Sequence, residues 1–93
     1  GILSAGGTIR GCMAEANGNS GISMTGRGVV TECTAATNTG TGIVGGNSVQ
    51  ILHCTAGSNT LNGIQVSSDC MVRGNTCDSN GTAVTNGAGI FVP

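Results

Sequence analysis

GIVGGNSVQILHCTAGSNTLN, residues 42–62, is one unit of a pattern that the rest of the chain repeats. Its opening Gly-Ile recurs at Gly1-Ile2, Gly21-Ile22, Gly63-Ile64 and Gly89-Ile90, which sets a period near 21 residues and directs the search for further columns. Four columns keep that spacing without a gap. They are Ile9, Val30, Ile51 and Val72; Cys12, Cys33, Cys54 and Asn75; Ala14, Ala35, Ala56 and Cys77; and Asn17, Asn38, Asn59 and Asn80. Four independent columns at one offset in so short a chain are not a product of chance.

The departures from the period are also informative. The first unit is one residue short between Ile2 and Ile9, and the last carries five extra residues between Asn80 and Gly89. That insertion, near 82–88, predicts a loop bulging from the wall of a stacked repeat. The units run over about 1–20, 21–41, 42–62 and 63–88, with 89–93 starting a further one, all within a single unit 1–93.

Short β-branched runs, Gly-rich corners and no helical periodicity predict strands laid one per coil. Gly63 to Val66 reads as one such strand, with Ile64 and Val66 on the same face because side chains alternate. Ile51 to Ala56 supplies further strand, with Cys54 and Ala56 on one face and Thr55 on the other. Gly45-Gly46-Asn47-Ser48 and Ser67-Ser68-Asp69 read as turns. Helix is excluded in practice, since Gly, Asn, Ser and Thr fill the positions that helix formers would need. The expected fold is therefore all-β, a solenoid of about 4.5 coils at about 4.8 Å per coil.

Composition narrows the function classes. The chain has 93 residues, 18 Gly, 8% charged residues and a formal net charge of −1. Its three basic residues, all Arg and spread along the chain, cannot neutralise a row of phosphates, so no nucleic-acid partner is expected. No run of 18 apolar residues offers a membrane span, and no signal-peptide pattern opens the chain, which fits a cytosolic protein, a mature form or an excerpt. With 38% apolar residues and little net charge the chain reads as folded.

The columns have structural readings first. Ile/Val, Cys and Ala columns point inward. The Asn column reads as a corner device, because Asn tolerates the left-handed conformation and stacked amides can hydrogen-bond from coil to coil. Cys12, Cys33 and Cys54 are unlike the closely spaced pairs that wrap zinc. A coil spacing of about 4.8 Å also exceeds the Cβ separation of an unstrained disulfide, about 3.5 to 4.5 Å, so free buried thiols acting as small hydrophobes are expected. Cys70 and Cys77 stand outside that column, and the spacing leaves open whether they approach each other. His53 lies under Glu32 in the column Gly11, Glu32, His53, Gly74, which predicts an exposed pair. Met13, Met24 and Met71 share no column and read as gap-fillers.

The run Ser48-Val49-Gln50-Ile51-Leu52-His53-Cys54-Thr55-Ala56, then Asn59-Thr60, Gly63-Ile64-Gln65-Val66-Ser67 and Val72-Arg73-Gly74-Asn75-Thr76-Cys77-Asp78-Ser79-Asn80-Gly81, resembles right-handed parallel β-helix repeat proteins. These belong to the pectate-lyase-like superfamily, and the repeat is most similar to the NosD-like, periplasmic copper-binding type found in large bacterial surface and secreted proteins. The resemblance implies a right-handed parallel β-helix and a secreted or cell-surface location in bacteria. For function it is permissive, because such repeats occur in lyases, glycosidases, epimerases, adhesins and proteins without known activity.

Relatives that cut polysaccharides use clustered carboxylates, and this chain offers only Glu15, Glu32, Asp69 and Asp78. Glu15 and Asp78 share a column but stand three coils apart, about 14 Å at the usual strand spacing, against roughly 5 to 9.5 Å for paired glycosidase carboxyls. Arg27 and Asp69 share a column with Ser48 between them. No catalytic, cofactor-binding or metal site is therefore predicted, and no cofactor. An outward rank of Met13, Thr34, Thr55 and Thr76 is similar to the Thr ladders of ice-binding solenoids, but its neighbouring ranks are not Thr.

The chain opens and closes inside the strand motif without a cap, so the expected partners are adjoining coils or identical copies stacked end to end. The reading is a non-catalytic structural or adhesive solenoid, with carbohydrate as a further possible partner. The alternative is a fragment of a polysaccharide lyase or hydrolase, or a carbohydrate-binding β-helix; ice binding ranks behind both.

Overall fold

The computed structural model describes residues 1–81 and 90–91. Its strands fall into three parallel sheets, each running the length of the stack. The first holds β1 (Ile2–Ser4), β4 (Ile22–Met24), β7 (Ile43–Gly45), β10 (Ile64–Val66) and β13 (Ile90–Phe91). The second holds β2 (Gly7–Arg10), β5 (Gly28–Thr31), β8 (Val49–Leu52) and β11 (Met71–Arg73). The third holds β3 (Met13–Glu15), β6 (Thr34–Ala36), β9 (Thr55–Gly57) and β12 (Thr76–Asp78). Each coil thus carries three strands where the sequence pattern predicts one. The segment Ile51 to Ala56 is not one further strand, since a corner at His53 and Cys54 divides β8 from β9. Strands this short escape a period-2 reading because a corner interrupts the alternation after three or four residues.

The column register is that of the sequence repeat. Ile9 pairs with Val30, Val30 with Ile51 and Ile51 with Val72. Ala14, Ala35, Ala56 and Cys77 align in the third sheet. Ser4 pairs with Met24 while Gly7 pairs with Gly28, so the missing residue of the first coil is lost at the corner between β1 and β2. Ile64 pairs with Ile90 although Thr55 pairs with Thr76, and the difference between those offsets is the five-residue insertion. The loop expected near 82–88 lies outside the described residues.

The second and third corners are made by single residues in the left-handed region. At the second corner these are Gly11, Glu32, His53 and Gly74, with φ of 63°, 53°, 52° and 65°. At the third they are Ala16, Thr37, Ser58 and Ser79, with φ between 52° and 55°. The asparagines were expected to hold this conformation, and they do not: each follows the left-handed residue and turns its side chain inward. The bend puts the next Cβ on the core side, where an amide can reach the adjoining coils.

That inward amide forms a ladder. Oδ1 of Asn59 accepts both the backbone N–H of Asn38 at 3.0 Å and its Nδ2 at 2.9 Å, and Oδ1 of Asn38 and of Asn80 do the same for Asn17 and Asn59. Asn38 and Asn59 are fully buried. Buried amides are tolerated because their polar atoms are satisfied, and no buried side-chain N or O among the described residues lacks a partner.

The ladder also accounts for the glycine of the Gly-Ile motif. A Cβ at Gly42 would lie 2.5 Å from Nδ2 of Asn59 and 2.7 Å from the Gly63 carbonyl, and one at Gly21 would meet Asn38 and Gly42 in the same way. Gly42→Ala therefore forces the ladder or the coil spacing to shift. The expected cost is about 1 to 3 kcal/mol, read as a lower denaturant midpoint. An alanine as stable as the parent would show that the glycine is not required by the ladder.

Between sheets the core is filled by Ile9, Ile22, Met24, Val30, Ile43, Val49, Ile51, Ile64 and Val66 with the Ala and Cys columns. Burial of each Val or Ile contributes about 1.5 to 3 kcal/mol. Across the first corner the sizes compensate within a coil. Met24 faces Gly28, where a Cβ would sit 2.9 Å from the Met24 sulfur; Val49 and Ile51 close over Gly45 in the next coil. Met24 is thus a gap-filler, whereas Met13 and Met71 lie exposed on the outer wall.

Candidate functional surface

The chemistry-bearing side chains sit on the outer faces of the second and third sheets and on the corner between them, apart from Arg27 and Asp69 at the first corner. Arg10 and Arg73 end β2 and β11, and Glu32 and His53 occupy the left-handed corner positions just beyond β5 and β8. Arg10 Nε donates to Glu32 Oε1 at 2.9 Å, diagonally from one coil to the next. Both side chains are more than half exposed, at 72% and 57%, so this pair stabilises by no more than about 1 kcal/mol. The expected partner of Glu32 was His53. That ring instead lies against the following coil, where a Cβ on Gly74 would fall 2.6 Å from its Nδ1. Column logic misses the pair because Arg10 is one column away from Glu32; an arginine is long enough to cross one coil and one column together.

The remaining carboxylates are dispersed. Glu15 aligns with Ala36, Ala36 with Gly57 and Gly57 with Asp78, so the two acids stand at opposite ends of one outward rank, three coils apart. Asp69 lies at the first corner, left-handed with φ of 58°. Among the described residues no group of three or more His, Cys, Asp and Glu side chains is gathered closely enough to hold a metal ion. Beside the acidic rank runs the outward rank Met13, Thr34, Thr55 and Thr76, in register across the third sheet. Its Thr55 and Thr76 are exposed, and Thr34 is half-buried.

A family model for the right-handed β-helix region matches residues 2–92. The chain belongs to the right-handed β-helix family. No curated protein and no solved structure matches it. Membership in the right-handed β-helix family accounts for the three parallel sheets and the 21-residue coil, and it leaves activity open, because enzymes and non-enzymes share this fold.

All five cysteines of this β-helix are free, Cys33 and Cys54 being buried and Cys12, Cys70 and Cys77 half-buried. They do more than the small hydrophobes they were expected to be, since the sulfurs of Cys12, Cys33, Cys54 and Cys70 each lie within hydrogen-bond reach of a backbone carbonyl. Burial pushes the Cys54 thiol pKa up, opposed in part by the backbone N–H of Cys33, and burial raises that of Cys77 as well.

Those shifts set a pH dependence. In the unfolded chain the thiols ionise around the ordinary value of 9.0, while the folded chain keeps the protons on Cys54 and Cys77 to higher pH. Above 9.0 the unfolded state then binds fewer protons than the folded state, so stability falls as pH rises. The contribution is fully present below that value and is lost as pH climbs through the raised folded values. The expected result is a denaturant midpoint that declines in alkaline buffer, and a shallower decline for the variant with Cys54→Ala and Cys77→Ala. Equal slopes for parent and variant would contradict the assignment.

Proposed function

We propose that this β-helix is a non-catalytic structural or adhesive segment of a bacterial secreted or cell-surface protein, continued along its axis by adjoining coils or by identical copies stacked end to end. One observation carries the reading. The inward asparagines are consumed by coil-to-coil hydrogen bonds, and the outward carboxylates stand singly, with the one aligned pair, Glu15 and Asp78, three coils apart. That separation, about 14 Å at the strand spacing of the fold, is too wide for a pair of carboxyls to share one glycosidic bond. Such a molecule suits holding a distance and presenting a wall, and its 21-residue register can be extended without new design.

The test is incubation of the chain with pectin, alginate and related polymers, followed by size analysis of both partners. The reading predicts intact polymer, with the chain recovered as a rod-like assembly by light scattering and electron microscopy. Reproducible cleavage that disappears on changing Glu15, Glu32, Asp69 or Asp78 would replace it with a polysaccharide lyase or hydrolase. A monodisperse monomer would remove end-to-end stacking of identical copies from the proposal.

A further inference from the structure

Seven side chains that follow left-handed corner residues reach back by the same number of residues. Asn38, Asn59 and Asn80 donate Nδ2–H to the carbonyls of Ala14, Ala35 and Ala56, each 24 positions earlier. At the second corner the Sγ atoms of Cys33 and Cys54 lie 3.5 Å from the carbonyls of Ile9 and Val30, again 24 positions back, and share their single S–H with the Thr31 and Leu52 carbonyls of their own coil at 3.2 and 3.3 Å. Asn75 completes that column, and its Nδ2 donates to the Ile51 carbonyl at 2.8 Å with the same offset. Cys70, at the first corner, reaches the Gly46 carbonyl at 2.9 Å by the same step. One bend geometry thus serves thiol and amide alike.

We propose that Cys33 and Cys54 are inter-coil clasps equivalent to the ladder asparagines, with sulfur as a weaker substitute for the amide. The amide has a second function that shows the difference. Oδ1 of Asn75 accepts the backbone N–H of Cys54 at 2.8 Å, as Oδ1 of each ladder asparagine accepts the N–H one coil above. The backbone N–H of Cys33 is directed at the Cys54 sulfur, a poor acceptor. An amide at position 54 would accept that N–H, donate to the Val30 carbonyl and donate to Oδ1 of Asn75. It would turn three thiols and one amide into a ladder begun one coil earlier. Asn38 and Asn59 show that a fully buried corner of this coil accommodates an amide. The clasp also requires a free S–H, since a sulfur held in a disulfide has no proton to donate.

Comparison of Cys54→Asn with Cys54→Val in the whole chain separates the clasp from mere packing, because valine fills the space and donates nothing. In denaturant titration Cys54→Val is expected to lower the folded-to-unfolded ratio by about fivefold, and Cys54→Asn to equal or exceed the parent. A valine variant at least as stable as the asparagine variant would overturn the proposal and leave the column as hydrophobic filling. The reverse exchange guards against misfolding of Cys54→Asn. Asn75→Cys should then be more stable than Asn75→Val, and equality of those two would overturn the proposal equally.

Discussion

Ile51→Asp abolishes folding, while Gln50→Asp, one residue away, leaves the chain folded. Ile51 is fully buried between Val30 and Val72, and Gln50 on the same strand points outward and is exposed. The aspartate forfeits the burial of an isoleucine, about 1.5 to 3 kcal/mol. It also brings a carboxylate into an interior where every neighbour in the column is aliphatic, and an unpaired buried charge costs several kcal/mol more even after relaxation. Together these reach the lower part of the whole stability of a small domain, about 5 to 15 kcal/mol, where a single 93-residue stack is expected to lie. Circular dichroism and solubility report the outcome. A soluble Ile51→Asp protein with unchanged β-type spectrum would refute the inward assignment of that column.

Asn59→Ala should be strongly destabilising. Four hydrogen bonds meet on this side chain: two accepted by Oδ1 from Asn38 and two donated by Nδ2, to the Ala35 carbonyl and to Oδ1 of Asn80. Removing it leaves the buried N–H of Asn38 without an acceptor, and an orphaned buried group costs about 1 to 3 kcal/mol. With the lost donors included, the expected destabilisation is roughly 2 to 5 kcal/mol, seen as a large fall in denaturant midpoint. Asn59→Asp is expected to be worse, although it has nearly the same shape. Its carboxylate can still accept from Asn38 but faces the Ala35 carbonyl and Oδ1 of Asn80 with no proton to give. If aspartate were tolerated better than alanine, the ladder would be a matter of shape and not of donors.

The axial order of this molecule was legible in its sequence because a stacked repeat writes its contacts as a constant offset. Ile9, Val30, Ile51 and Val72 needed only that offset to be aligned, and so did the Asn column. What happens within a coil was less legible. A corner of one left-handed residue has no compulsory composition here, since Gly11, Glu32, His53 and Gly74 all adopt it, as do Ala16 and Thr37. Sequence pattern therefore points to the asparagine for the left-handed role when it belongs to the residue before it, and it does not separate the strands on either side of His53. The thiols were read by their hydrophobicity alone, because a side-chain donor reaching a carbonyl 24 residues back is visible only once the bend is known. The ion pair from Arg10 to Glu32 lies off the column grid, where an offset search does not look.

Solution NMR on the isotopically labelled chain tests the stacking most directly, through contacts between backbone protons of Thr34 and Thr55, of Thr55 and Thr76, and between the side-chain amides of Asn38 and Asn59. Cross-coil contacts at 21-residue separations, with the Asn59 amide protons slow to exchange, are the predicted result. Contacts at other separations, or Asn59 amide protons exchanging at the rate of an open chain, would contradict the solenoid.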